Sequence, residues 1–216
     1  MSESRSASGE ATRQALIRAA EQLFAAQGVD GTTIAAITVA AGQRNNYAVG
    51  WHFGGKAELV GAVLQKHQQR IDRVRCIVLD AIEAAGSPDI RAVAHGFVAP
   101  LADRLSDPDG GADYLRIQAE LLGRRGPETD FVGPGTRRLL AMSDQVIARG
   151  EPEALADMQA LIVGLVFHGL ADFAARRPDA DAAARASFER LLVDTVTQVM
   201  EGHNQRSRGR TGDQPW

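Results

Sequence analysis

The chain has 216 residues, 44% of them hydrophobic and 24% charged, which is ample material for a buried core. A net charge of −3 argues against a strongly basic surface, and a single cysteine, Cys76, excludes an internal disulfide and a cysteine-cluster metal site. The opening residues lack the apolar stretch of a signal peptide. The longest apolar run, Leu161 to Leu170, is about half of a membrane span, so a cytoplasmic location without a membrane partner is expected.

In chain order, the Ser-rich residues 1–9 read as disordered. A helix is predicted from about Glu10 to Gln27, with Leu16, Ala19, Ala20, Leu23 and Phe24 at helical spacing and Gly28 as its stop. Thr32 or Thr33 then caps a short helix whose apolar face is Ile34, Ile37 and Ala41, ended by Gly42. A second short helix, Arg44 to Gly50, carries polar side chains and leads to Trp51, His52 and Phe53. Two short helices joined tightly through a glycine predict a helix-turn-helix, with Leu16, Leu23 and Phe24 packing on Ile34 and Ile37.

A long helix, about Lys56 to Ala85, follows across Gly54-Gly55 with no flexible linker, so the two parts should move together. Ser87-Pro88 reads as a cap and first-turn proline of a helix reaching about Leu105, kinked or split at Pro100. Further helices are predicted at about Ala112–Arg124, Thr136–Ala148, Glu153–Ala175 and Asp181–Met200, with residues 123–135 irregular. The helix from Glu153 is apolar on more than one face and should be covered on most sides. The fold class is all-α. A three-helix unit, residues 10–54, precedes a larger helical domain, residues 55–202, and residues 203–216 read as a disordered tail.

Charge divides unevenly. Residues 1–54 balance to zero, 55–202 carry −5 and 203–216 carry +2. Any contact with nucleic acid must therefore be made by a few placed groups.

Residues 33–56 resemble the TetR/AcrR family of bacterial transcriptional regulators. The resemblance rests on Thr33, Ile37-Thr38, Ala41-Gly42, the variable stretch Arg44 to Val49, Trp51, His52-Phe53 and Lys56 with Leu59, and it covers about residues 12–62. Three departures stand out: Thr38 where the family commonly has alanine, one extra residue between Gly42 and Phe53, and Gly50 where the usual tyrosine stands. The resemblance implies double-stranded operator DNA as a partner. The implied contact residues are Thr33, Arg44, Asn45, Asn46, Tyr47, Trp51, His52 and Lys56. Chemically, Arg44 offers a guanidinium fork to guanine or phosphate, Asn45 or Asn46 can pair with adenine, and Tyr47, Trp51, His52 and Lys56 can hold the backbone.

The family also implies a cavity for a small-molecule effector in the larger domain. Phe97, Leu101, Tyr114, Ile117, Gln118, Leu121, Met142, Phe167 and His168 are the candidate lining, mostly apolar with a few hydrogen-bonding groups. The last two helices carry more apolar surface than one chain needs, which suits a homodimer facing a near-palindromic site. No catalytic motif, metal-ligand spacing or cofactor signature stands out, and an enzyme is not expected. The expectation is a ligand-released repressor. The competing expectation is a helical ligand-binding or protein-interaction protein that has lost specific DNA binding.

Overall fold

The computed structural model describes residues 2–45, 47–125, 133–147 and 152–211, and every regular element among them is helical. The α-helices are α1 (Ser2–Gln27), α2 (Ile34–Ala40), α3 (Tyr47–Phe53), α4 (Lys56–Ala84), α5 (Ile90–Ala102), α6 (Gly111–Arg125), α7 (Pro134–Val146), α8 (Pro152–Arg176) and α9 (Ala182–Thr211). A 3-10 turn, Asp103–Ser106, follows α5. The all-α expectation holds, and α4 and α8 fall close to their predicted bounds.

The differences have local causes. Residues 1–9 read as disordered, yet α1 starts at Ser2: the stretch has no proline, and only Gly9 interrupts a run of tolerable helix formers. The tail read as disordered from 203 continues α9 to Thr211. His203 and Asn204 are buried there, and Asn204 Nδ2 donates to the Val146 carbonyl at 3.1 Å, a tertiary anchor that hydropathy cannot reveal. Helix α5 is capped by Asp89, whose Oδ1 accepts from Ala92 N at 2.7 Å, rather than by Ser87. It runs unbroken through Pro100 and tightens into the 3-10 turn only after Ala102. The predicted irregular segment lies largely at 126–132, outside the described residues.

Two hydrophobic cores result. The N-terminal one gathers Leu16, Phe24, Ile37, Val49, Leu59 and Val63 around the α1–α4 junction, and it also takes in Ile117 of α6 with Leu121 packed against it. The larger core joins α4 to α9, from Leu79 and Val98 to Ile162, Leu170 and Val196. A buried polar cluster sits where the two meet. Glu21 of α1 takes His67 Nε2 at 2.5 Å and Lys66 Nζ at 2.7 Å, both on α4, and Lys66 also reaches Asp109 Oδ1 at 2.9 Å. Gly110 closes against this cluster: its φ is +82°, and a Cβ there would lie 2.2 Å from Glu21 Oε2.

An 18-residue stretch of helix α8 has a mean hydropathy of 1.6 and, by length and composition alone, the helix could cross a membrane, a property the ten-residue run Leu161 to Leu170 does not suggest by itself. In the fold it packs on α6 and α9, but only a third of its apolar stretch is buried.

Candidate nucleic-acid interface and ligand cavity

Thr33 ends its extended backbone at φ −98° and places Oγ1 3.1 Å from Ala36 N, so its side chain caps α2 while remaining exposed. The turn after α2 depends on Gly42, whose φ of +69° is open to glycine and strained for other residues. Thr38, one of the departures from the family pattern, is buried. Its hydroxyl donates to the Ile34 carbonyl at 2.8 Å, so the polar group in this core is satisfied.

The second short helix does not begin at Arg44. It begins at Tyr47, and just ahead of it Asn45 Oδ1 accepts from Tyr47 N at 2.9 Å, a local side-chain turn of the kind that competes with helix. Arg44 is exposed in the turn before α3. Asn45 is also exposed in the turn, where its side-chain oxygen accepts one hydrogen bond and its amide NH2 group has no hydrogen-bond partner among the described residues. Asn46 lies outside the described residues.

What α3 does present is aromatic. Tyr47 and Trp51, one turn apart, are 82% and 86% exposed on the same face. Gly50, between them, is exposed and has nothing within 4 Å of where a Cβ would stand. The opposite side is held down by Val49, fully buried, and by Phe53, over which the Arg13 guanidinium lies at 5.2 Å. His52 is half-buried with its ring centroid 6.3 Å from that of Phe53, and Lys56 is half-buried as the first residue of α4. Two large aromatics are thus uncovered on a seven-residue helix whose other face is anchored.

The larger core holds a partly open cavity of about 130 Å³. Of the residues expected there, Phe97, Leu101, Tyr114, Gln118 and Phe167 line it. Ile117 and Leu121 do not, because they turn to the other side of α6 and belong to the N-terminal core. Met142 is buried in the larger core without reaching the cavity, and His168 is exposed on the outer side of α8, one residue past Phe167. Gln68, Asp72, Arg75 and Thr136 complete the polar part of the wall and were missed by sequence reasoning. A signal was present: the buried positions of α4 include Leu59, Val63, His67, Ile71, Arg75 and Leu79, a four-residue repeat with a histidine and an arginine inside it.

Arg75 is 8% exposed. Its Nη1 donates to Thr136 Oγ1 at 2.7 Å and its Nε reaches the Gly96 carbonyl at 3.4 Å, while Nη2 has no hydrogen-bond partner among the described residues. Burial lowers its pKa, with Asp72 pulling the other way. Tyr114, on α6, accepts from Gln118 Nε2 at 3.1 Å; burial pushes its phenol up to about 12, so it stays a neutral donor. The Tyr114 ring also lies 4.8 Å from His67, the buried partner of Glu21.

Helix α6 thus has two duties. Tyr114 and Gln118 face the cavity, while Ile117 and Leu121 pack in the N-terminal core, and Glu120 Oε1 accepts from Val29 N at 3.1 Å in the loop that leads to α2. Among the described residues no cluster of three metal-ligating side chains occurs.

Residues 16–63 match the family model described as bacterial regulatory proteins, tetR family. Over 72 residues the chain is 42% identical to the HTH-type transcriptional regulator SrpR of Pseudomonas putida, a match covering 33% of each chain. It is 40% identical over 72 residues to TtgW, also of Pseudomonas putida and described as an uncharacterized HTH-type transcriptional regulator, covering 33% of this chain and 53% of that one. The matched stretch thus spans between a third and about half of these curated relatives. Among solved structures, one described as the molecular basis for control of antibiotic production by bacterial hormones is 20% identical with a TM-score of 0.50, covering 86% of this chain and 96% of the other. A chain described as a tetR family transcription regulator of Shewanella sp. PV-4 is 22% identical with a TM-score of 0.50, covering 85% and 97%. At such identities the likeness is one of fold.

Proposed function

We propose, from the match of residues 16–63 to the model of the tetR family of bacterial regulatory proteins, that the chain is a cytoplasmic, ligand-responsive transcriptional repressor that binds a near-palindromic operator as a homodimer. Tyr47 and Trp51 are the face of α3 that enters the DNA groove, with Arg44 in the preceding turn and Thr33 and Lys56 against the phosphates. The near-neutral charge of residues 1–54 suits this division, in which a few groups and two aromatics carry recognition.

The observation that carries the reading is α6. One helix lines the cavity through Tyr114 and Gln118 and is built into the core behind the DNA-reading helices through Ile117 and Leu121. A ligand that moves α6 must therefore move or strain that core. It shifts the equilibrium only by its differential affinity for the DNA-competent and DNA-free arrangements. The dimer is supported by the uncovered sides of α8 and α9: Leu161 is 67% exposed, and Leu191, 58% exposed, lines a groove with Phe173 and Phe188.

Selection of bound sequences from random duplex DNA by the purified protein tests the reading. The expected product is an inverted repeat with half-sites a whole number of helical turns apart, bound with a steep dependence on salt. Recovery of no enriched sequence would reject the operator-binding role.

A further inference from the structure

The cavity has a chemistry specific enough to name a class of ligand. Its volume of about 130 Å³ is close to that of an engineered protein cavity of about 150 Å³ that holds benzene. Phe97, Tyr114 and Phe167 give it aromatic walls, with the Tyr114 and Phe167 rings edge to face at 6.3 Å. The wall also contains a buried guanidinium with two protein hydrogen bonds, one of them long, and an Nη2 left without a partner among the described residues. Buried charge of this kind calls for a counter-charge and further acceptors. Asp72 attracts Arg75 electrostatically but commits its Oδ1 to Thr136 N at 3.2 Å. Tyr114, having accepted from Gln118, still has its own hydroxyl hydrogen to give, and it lies within electrostatic reach of Arg75.

We propose that the cavity takes a monocyclic aromatic carboxylic acid, with its ring among Phe97, Tyr114 and Phe167 and its carboxylate received by Arg75 Nη2 and the Tyr114 hydroxyl. The inference deepens the ligand-responsive reading and rests on it for its regulatory meaning, but not for the binding itself. Arg75 supplies the directional, charge-assisted contact, and the ring fills the apolar space. Asp72 is then an opposing charge that weakens acids without excluding them, and this makes the sign of its removal diagnostic.

Calorimetric titration of the full chain at neutral pH with benzoate and with its neutral near-isostere benzamide tests the proposal. Benzoate is expected to bind at least about tenfold more tightly. Arg75→Gln should remove that preference, Arg75→Lys should keep part of it, and Asp72→Asn should strengthen benzoate binding several-fold without a like gain for benzamide. Benzamide binding as well as benzoate, failure of both to bind, a preference that survives Arg75→Gln, or weaker benzoate binding in Asp72→Asn would each overturn it. If Arg75→Gln does not fold, the wild-type pair and Asp72→Asn decide the matter. A parallel titration of the DNA complex separates this inference from the function it builds on. Benzoate that binds but leaves DNA affinity unchanged defeats the ligand-release reading alone. Neutral benzamide that dissociates DNA where benzoate does not bind defeats the acid site alone.

Discussion

The two cores of this molecule are built from similar residues and differ in what they leave unfilled. Behind the reading helices, Leu16, Phe24, Ile37, Val49, Leu59 and Val63 are all fully excluded from solvent, and none of them lines the cavity. The larger core buries more side chains yet keeps an open volume and an incompletely paired guanidinium. Closure suits a unit that must present Tyr47 and Trp51 in one fixed geometry. An unfinished core suits a unit whose shape a small molecule completes, because the ligand's contacts are then the missing part of the packing.

The sharpest way to break that contrast is Phe24→Ala, which opens a cavity in the closed core and is expected to lower unfolding stability by about 3–5 kcal/mol in chemical denaturation. Adding volume separates the cores more selectively. Val49→Ile should cost about 1–3 kcal/mol where no space exists, whereas Val163→Ile, on the cavity wall, should change stability by less than about 1 kcal/mol. Equal costs at the two sites would mean the cavity is not available space. Trp51→Ala tests what the closed core is closed for: operator affinity should fall about tenfold, or about 1.4 kcal/mol, while stability moves by less than about 0.5 kcal/mol.

The last prediction concerns the joint between the cores. Burial raises the Asp107 pKa, but the Asp109 amide and the nearby Arg104, Arg70 and His67 more than offset this, so the carboxyl is held below its ordinary 3.8. A depressed carboxylate contributes stability that is present above its unfolded pKa and lost as pH falls through its folded value. Denaturation measured between about pH 6 and pH 3 should therefore show wild type losing its advantage over Asp107→Asn below about pH 4. An advantage that persists unchanged at the acid end of that range would contradict the shift.

Much of the fold was legible in the chain because long helices declare themselves. Helix α4 was bounded to within a residue by Gly54-Gly55 at one end and Gly86 at the other, and its apolar stripe gave its buried side. The start of α3 was not legible: seven residues carry too little periodicity, and Asn45 in a side-chain turn looks in sequence like Asn45 as a helix residue. In the cavity, aromatic and leucine positions were found because they lie on apolar faces. Arg75 and Asp72 were passed over because a charge on a long helix ordinarily faces water. Ile117 and Leu121 show a different limit. Periodicity places them on a buried face, but which of two cores that face enters is a tertiary fact.

Helix α4 also works as a lever. At 1.5 Å per residue its 29 residues span about 44 Å. Arg75 grips its partner at the cavity about 28 Å from Lys56, the end that adjoins α3. With the cavity as fulcrum, a tilt of about 5° carries that end through about 2.5 Å, and in a two-fold pair the two displacements add. In the proposed dimer, a movement of that size at each α4 would change the stride between the two α3 helices by about 5 Å.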